Sequence, residues 1–399
     1  MAGLFEGLDA DPAVEVEIGD QALVRAFLDV ECALTRALVH AGIAPAHAAD
    51  GVERARSELA VDASDLGRRA TASGNPIVPL VEDLRAAAAP RDAPWIHHGA
   101  TSQDILDTAI MLVAKRALVP ITHHLARGAA AAADLAVAHR HTLQVARTLG
   151  QQALPSTFGL KAAGWSGGLR HAADRLSAIQ AHQLSVQLGG PVGTLAAYTS
   201  NGLSVVTAFA RELELADPGI PWHTERSRIH ELAGALGSAT AAAGKVATDV
   251  IWMSQSEVGE VAEAGEAGHG ASSAMPHKRN PSRSVLIMAA ARRTPGLVGT
   301  ILAAGVHEHE RAVGSWHAEW RPLLELLRLA GGVASRVADL LGCLEVDVAR
   351  MRTNLDAFLA DPATTRSLGA EAVLDPALLL GATQAIIDRV LAAQRTDPA

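Results

Sequence analysis

Apolar residues recur at alternating spacings of three and four between positions 229 and 253. This seam consists of Ile229, Leu232, Leu236, Ala239, Ala243, Val246, Val250 and Met253. Such spacing places all of them on one face of an α-helix of many turns. The same spacing recurs at Leu323, Leu327, Ala330, Val337 and Leu341. The pattern predicts long helices, packed either inside one subunit or in a bundle shared between subunits. Periodicity alone does not separate these two.

Clusters of glycine, proline and small polar residues mark the breaks between predicted elements. They fall at residues 9–12, 42–45, 73–76, 155, 189–191, 218–221 and 265–281. The first hundred residues therefore predict short helices separated by loops, and longer Ala/Leu-rich helices follow from about Thr101. The residue pattern at the end of the chain predicts a small helical unit, whose last helix runs from Leu378 to Ala393. We expect domains at 1–100, 101–345 and 346–399.

The composition excludes several classes of protein. Of the 399 residues, 49% are hydrophobic and 19% are charged, which argues against extended disorder. Alanine and leucine are abundant while aromatic residues make up only 3%, which favours helices over an all-β core. The net charge of −9 argues against nucleic acid as a partner, because phosphate binding needs a basic surface.

The expected location is the cytoplasm. The two cysteines, Cys32 and Cys343, form no C-x-x-C pair and cannot supply a disulfide framework, which favours a reducing compartment. The acidic first twenty residues lack a cationic start followed by an apolar run, so we expect no signal peptide. No uncharged apolar run is long enough to span a bilayer, and we expect no membrane partner.

Two polar segments lie beside predicted helix ends. In the run from His97 to Asp104, Thr101 or Ser102 can cap the following helix, and such a helix N-terminus can bind a carboxylate. A plain cap is the simpler interpretation, although two adjacent histidines favour a function. In the run from Arg147 to Pro155, amides such as Gln151 could orient a polar ligand. The alternative there is a polar loop between helices.

The run from Gly268 to Pro281 holds the densest group of reactive side chains. Ser272 and Ser273 precede Lys278, and a nearby ammonium group can stabilise a serine alkoxide. The residue orders of a phosphate-binding loop and of a hydrolase nucleophile elbow are both absent. A solvated basic loop is the alternative, but so many special side chains in one run favour a functional site.

Histidines and acidic residues cluster again between His307 and Trp320. The zinc-protease order H-E-x-x-H is absent, and His307 and His309, two residues apart, would point to different helix faces. We therefore expect no metal here. Arg311, together with the histidines, is predicted to bind an anionic substrate.

The run ASSAMPHKRNP at 271–281 resembles the signature loop of the fumarase/aspartase superfamily, G-S-S-x-M-P-x-K-x-N-P, with Ala271 in the usual glycine place. The runs 97–104 and 151–155 are similar to the first and second conserved regions of that superfamily, in the same order. Four strings are most similar to its bacterial 3-carboxy-cis,cis-muconate cycloisomerases: GATSQDILDTA, QQALPSTFG, QLGGPVGTLA and HEHERAVGSWHAEW.

Two positions distinguish the chain from the adenylosuccinate lyases of the same superfamily. Those lyases have a catalytic histidine where this chain has Leu149, and a glutamate where it has Val285. The resemblance to cycloisomerases, which also lack that pair, is therefore favoured over a fumarate-releasing lyase. A catalytically impaired homologue is a further alternative, because the region after about Asn354 is shorter than is usual in the family.

The resemblance implies an all-α protein of three helical domains, whose central long helices form a homotetramer core, and no cofactor. The implied reaction belongs to aromatic catabolism and converts a small tricarboxylate, 3-carboxy-cis,cis-muconate, to 4-carboxymuconolactone. It implies Ser272 and Lys278 as catalytic residues. The residues implied to bind substrate are His97, Thr101, Ser102, Gln151, Ser273, Asn280 and Arg311.

Overall fold

The computed structural model describes residues 5–265 and 268–393. The α-helices are α1 Glu6–Asp9, α2 Pro12–Ile18, α3 Asp20–His40, α4 His47–Glu58, α5 Ala63–Ser73, α6 Ile77–Ala87, α7 Ser102–Ala138, α8 Phe158–His182, α9 Gly202–Leu213, α10 Ser227–Met253, α11 Ser282–Ala304, α12 Ser315–Gly342, α13 Val348–Ala360, α14 Pro362–Leu368, α15 Ala370–Leu374 and α16 Thr383–Ala393. The strands are β1 Leu143–Thr148, β2 Gln151–Thr157, β3 Val261–Glu263 and β4 Leu344–Val346. The prediction of an all-α fold is confirmed.

Five long helices, α7, α8, α10, α11 and α12, pack together as the central bundle. Every member of the predicted seam on α10 is buried, from Ile229 to Met253. The second predicted stretch is buried as well, along α12. Beside this seam, Gly237 and Gly244 of α10 lie against α11, and a Cβ atom at either position would come within 3.0 Å of Val298 or Ala291.

Shorter helices cover the bundle at both ends of the chain. Helices α2 and α3 pack on α7, and α16 packs on α8. Helix α3, with 21 residues, is longer than the short helices predicted for this region. The last helix begins at Thr383 rather than at Leu378, because a 3₁₀ turn starts at Pro376 and Gly381 has a positive φ of 51°.

The segment around Pro155 forms a β-hairpin, where the sequence pattern predicted a break between helices. Strands β1 and β2 pair antiparallel, and the two residues between them, Leu149 and Gly150, have φ of 52° and 79°. Two consecutive positive φ values are typical of the tight turns that suit the twist of a hairpin. Leu149 is fully exposed at this turn.

The bundle has two chemically different ends. Helix α7 has 37 residues and is therefore about 55 Å long. At its beginning, Asp107 bonds to Arg226, next to the start of α10. Beyond its other end lie the hairpin and, after α10, the loop that leads to Ser272. We call these the Thr101 end and the Ser272 end.

Among the described residues, α11 is the one helix long and apolar enough, by length and composition alone, to cross a membrane. Its most apolar window is only 22% buried, although the helix packs on α10 and α12. A core helix of a bundle meets the same criterion, and we assign α11 to the bundle.

Replacing Gly159 by alanine is expected to lower the free energy of unfolding by about 1–3 kcal/mol. Gly159 lies where α8 crosses the chain after α7, and a Cβ atom there would lie 2.6 Å from the Cα of Arg140 and 2.8 Å from the carbonyl oxygen of Ala136. Backbone atoms cannot rotate away as a side chain does. Urea denaturation followed by circular dichroism would measure the loss.

The matched control is Gly168→Ala in the same helix, where a Cβ would meet nothing within 4 Å. That change is expected to raise the stability by up to about 1 kcal/mol, since alanine is the better helix former. Equal effects of the two changes would contradict the assignment of Gly159 to a close helix crossing.

Candidate active site

Thr101 is the N-cap of α7, in agreement with the predicted cap. Its backbone N–H donates to the Asp104 carboxylate at 3.0 Å. The same buried carboxylate accepts hydrogen bonds from the backbone N–H groups of Gly189 and Gly190 at 3.0 and 2.9 Å, and from the His223 ring at 2.6 Å. Asp104 therefore ties the glycine turn at 189–190 to the start of α7.

Arg311 reaches this same corner from the loop before α12. Its guanidinium donates to the Gln103 side chain at 2.8 Å and to the carbonyl oxygen of Gly190 at 2.7 Å. Burial lowers the pKa of Arg311, while the charges of Asp104 and Asp107 oppose that shift. The guanidinium is held beside the Thr101 cap, where an anionic substrate group would be attracted.

His97 is held in an unusual backbone conformation by a glutamate from α3. Its φ is 59°, in the left-handed region that non-glycine residues seldom occupy. The buried Glu31 carboxylate accepts from the backbone N–H of His97 at 3.0 Å and bonds to its Nδ1 at 2.7 Å. Burial, the largest single effect, lowers the pKa of His97, but the charge and hydrogen bond of Glu31 together with the charge of Asp104 outweigh it, and the net shift is upward.

A buried ion network lies directly beneath these groups. Arg226, only 1% exposed, bonds to Asp107 at 2.7 Å and to Glu319 at 2.6 Å. The indole N–H of Trp316 donates to Asp107 at 2.8 Å, and the buried His307 ring lies 3.2 Å from Glu319. The predicted histidine cluster at 307–320 thus contributes to the core of this end.

The signature loop at the Ser272 end is closed at its base and exposed at its tip. The backbone N–H and the side-chain amide of Asn280 donate to the carbonyl oxygen of Gly270 at 2.9 and 3.0 Å. The Ser272 hydroxyl accepts from the Met275 N–H at 3.1 Å. Ser273 and Lys278 are exposed, and no hydrogen bond or ion pair of the Lys278 ammonium occurs within 5–265 and 268–393.

Glu263, which sequence reasoning missed, anchors this loop to α11. One carboxylate oxygen accepts from the backbone N–H and the hydroxyl of Ser284 at 2.9 and 2.7 Å. The other accepts from the N–H of Arg283 at 3.0 Å and bonds to His269 at 3.0 Å. The carboxylate satisfies free N–H groups at the start of α11. In the sequence, Glu263 is marked only by its position as an acidic residue shortly before the glycine-rich run.

Gln151 is exposed at the first position of β2, beside the hairpin turn. The hairpin is fixed close to its turn by Arg147, which makes a two-pronged ion pair with the buried Glu260 at 2.9 and 2.8 Å. Asn354 donates to the same carboxylate at 2.8 Å. Gln151 therefore belongs to the Ser272 end, in a strand rather than in the loop that its polarity suggested.

Within one chain the candidate residues form two separate groups. His97, Thr101, Ser102 and Arg311 lie at the Thr101 end. Gln151, Ser272, Ser273, Lys278 and Asn280 lie at the Ser272 end, about the length of α7 away. Glu31, which grips His97, was also missed, because a buried acid on an amphipathic helix has no local sequence signal. Each group alone can bind anions, but the loop that carries the reactive serine is remote from the arginine site.

The comparisons with known proteins agree with this architecture. The sequence profile of a lyase family matches residues 12–296. The chain belongs to this lyase family. It is 42% identical over 360 residues to a 3-carboxy-cis,cis-muconate cycloisomerase of Bradyrhizobium diazoefficiens, covering 90% of this chain and 80% of the relative. It is 43% identical over 395 residues to a nitrosuccinate lyase of Streptomyces davaonensis, covering 96% and 82%.

A solved structure has the same fold. The crystal structure of the 3-carboxy-cis,cis-muconate lactonizing enzyme from Pseudomonas putida superposes with a TM-score of 0.87 at 32% identity, covering 98% of this chain and 99% of that one. The prediction of membership in the fumarase/aspartase superfamily is confirmed. The roles of individual residues stay predictions.

Proposed function

We propose that this lyase is a cycloisomerase that converts 3-carboxy-cis,cis-muconate to 4-carboxymuconolactone. The observation that separates this reaction from that of the adenylosuccinate lyases is Leu149, an apolar side chain that is fully exposed where those lyases have their catalytic histidine. A reaction served by this site has no acid at that position to protonate a leaving group. The similarity of this chain to cycloisomerases supports the same reaction.

The cyclisation is an intramolecular addition whose nucleophile belongs to the substrate. A carboxylate oxygen forms a bond to an alkene carbon, and the electron pair moves to the carbon next to another carboxylate. That carbanion then takes one proton from the enzyme. Holding the substrate in one conformer can supply much of the rate. The protein's main tasks are to bind three carboxylates and to stabilise the dianion that forms.

The cationic and hydroxyl groups of the two ends suit these tasks. Arg311 and the imidazolium of His97 would bind carboxylates at the Thr101 end. At the Ser272 end, Lys278 would lower the pKa of the Ser272 hydroxyl, which would give or take the α-proton. Either residue can deliver the proton.

A second candidate is the elimination of nitrite from nitrosuccinate. It is favoured by the 43% identity over 96% of the chain to the Streptomyces enzyme. Nitrite, like a carboxylate, is a weak base that departs as a stable anion, so this reaction also needs no acid at position 149. The amine expelled from adenylosuccinate does need one. Leu149 therefore favours reactions in which an anion departs over the release of an amine. The anion is nitrite in the second candidate and the lactone carboxylate in the reverse of the cyclisation.

Parallel assays separate the candidates. Loss of the diene absorbance of 3-carboxy-cis,cis-muconate would support the cycloisomerase. Release of nitrite from nitrosuccinate, without loss of the diene, would replace it by the second candidate. Turnover of adenylosuccinate would refute the argument from Leu149 and Val285, and silence in all three assays would favour an impaired homologue.

We further propose that complete sites form between copies in a cytoplasmic homotetramer. The two groups of candidate residues lie at opposite ends of a bundle about 55 Å long, so one chain cannot bring both to one substrate. The large exposed part of the apolar α11, including Val285 and Leu302, supplies a surface for a second copy. Antiparallel association would place the Thr101 end of one copy beside the Ser272 end of another.

Mixing two inactive variants tests this arrangement. Ser272→Ala and Arg311→Met, unfolded together and refolded as mixed oligomers, are expected to regain up to about one quarter of wild-type activity, because some sites then combine intact residues from different copies. Activity of each pure variant and of the mixture would be measured with the same substrate.

The control mixture is Ser272→Ala with Lys278→Met. Both changes lie in one loop of one chain, so every site in the mixed oligomer carries one defect and no activity should return. Native mass spectrometry would verify that mixed oligomers have formed. Activity that returns in the control mixture would contradict sites shared between copies. Activity that fails to return in the first mixture would contradict them as well.

A further inference from the structure

We propose that Glu31 is a positioning residue that fixes His97 so that its Nε2–H faces a substrate carboxylate. The proposal rests on the function proposed above. Glu31 is fully buried and lies on α3, far from every motif that pointed to the site. Both of its oxygens are committed to His97, one to the backbone N–H at 3.0 Å and one to Nδ1 at 2.7 Å.

The grip on the backbone stabilises a conformation that would otherwise be costly. A left-handed φ of 59° at a histidine is disfavoured by about 1 kcal/mol or more. It persists here because the N–H is bonded to a buried carboxylate. On the other side of the turn, the hydroxyl of the buried Tyr198 donates to the carbonyl oxygen of His98 at 2.8 Å. The turn is therefore held from two elements.

The bond at Nδ1 determines which ring nitrogen remains for a ligand. Because the carboxylate of Glu31 accepts the Nδ1 proton, a neutral His97 ring would present a lone pair at Nε2. A lone pair repels a carboxylate, whereas the imidazolium presents a second N–H. No hydrogen bond of Nε2 is formed with the described residues, and the side chain keeps 15% of its exposure.

The turn that carries His97 packs against the glycine turn that binds Arg311. A Cβ on Gly190 would lie 2.8 Å from the carbonyl oxygen of Gly99, and the Gly190 carbonyl accepts from Arg311 at 2.7 Å. His97 and Arg311 thus flank one glycine-lined corner. A ligand with several carboxylates would meet two cationic groups there.

Three charged groups face the His97 ring from three helices. Glu31 on α3 and Asp104 on α7 favour the imidazolium, and Arg85 on α6 disfavours it. Because the pKa of His97 is raised in net, the imidazolium persists to higher pH than in a free histidine. Affinity for a polycarboxylate that needs this charge should be lost as the pH rises through the raised pKa. Without the charge of Glu31, that loss should move to lower pH.

Calorimetric titration with tricarballylate, a saturated tricarboxylate that cannot cyclise, tests the proposal between pH 6 and 9. Wild-type affinity should fall at least tenfold across this range. In Glu31→Gln the fall should come about one pH unit earlier, and Glu31→Asp should restore part of the wild-type profile. In His97→Gln affinity should be weak and almost independent of pH.

Wild-type and Glu31→Gln proteins with identical pH profiles would overturn the proposal, and so would a wild-type affinity that does not change with pH. If Glu31→Gln does not fold, Glu31→Asp decides. Its shorter carboxylate should hold Nδ1 less well and move the fall in affinity to lower pH than in the wild type, and an unchanged profile would overturn the proposal. Failure of the proposed reaction is seen separately, as absence of turnover in a protein whose tricarballylate binding still depends on pH.

Discussion

Ser272→Ala is expected to lower kcat by about 10²–10⁴-fold, the usual effect of removing a positioned proton-transfer group. The hydroxyl lies in the exposed arch of the signature loop, with its oxygen held by the Met275 N–H at 3.1 Å. Lys278→Met should cause a loss of similar size, because the ammonium both stabilises the alkoxide and neutralises the developing dianion. Steady-state kinetics on 3-carboxy-cis,cis-muconate would measure both.

Two neighbouring changes serve as controls. Ser273→Ala should act mainly on KM, because that residue is predicted to bind substrate. Arg279→Met, beside Lys278 but outside the predicted site, should change kcat less than threefold. Both catalytic variants should keep the oligomer and the thermal midpoint of the wild type, since no buried contact is lost. Near-normal turnover in both would refute the assignment of Ser272 and Lys278.

Arg226→Met is expected to cost about 3–5 kcal/mol of folding free energy, the range found when one partner of a buried ion pair is removed. Arg226 is 1% exposed and neutralises two buried acids, Asp107 and Glu319, at 2.7 and 2.6 Å. Its guanidinium also lies 4.9 Å above the Trp222 ring. The change leaves two uncompensated carboxylates in the core, and urea denaturation would measure the loss.

The matched control is Arg127→Met. Arg127 pairs with Asp339 on the surface, where the two side chains are 46% and 54% exposed. Such a pair contributes at most about 1 kcal/mol. A loss at Arg226 as small as the loss at Arg127 would mean that water or rearrangement compensates the buried acids.

The buried network also links stability to the site. Gln103 donates to Asp107 at 3.1 Å and accepts from Arg311 at 2.8 Å. Rearrangement of the acids in Arg226→Met is therefore expected to disturb Arg311 and to raise KM as well.

The sequence by itself determined the helical class, the seam of α10, a cap at Thr101 or Ser102, and the family. These features depend on local periodicity, on capping chemistry and on a contiguous motif, all of which are written along one stretch of chain. The hairpin at 143–157 was missed because strands this short have weak local patterns, and Leu149 and Gly150 are recognisable as a turn only once the strands pair.

The tertiary structure alone decided how the candidate residues are grouped. Glu31 meets His97 across 66 positions, and Arg311 meets Gln103 across 208, distances at which no local pattern carries information. The structure also placed Ser272 and Arg311 at opposite ends of the bundle. The length of α7 imposes that separation, since a rigid helix of 37 residues cannot bend its two ends to one substrate.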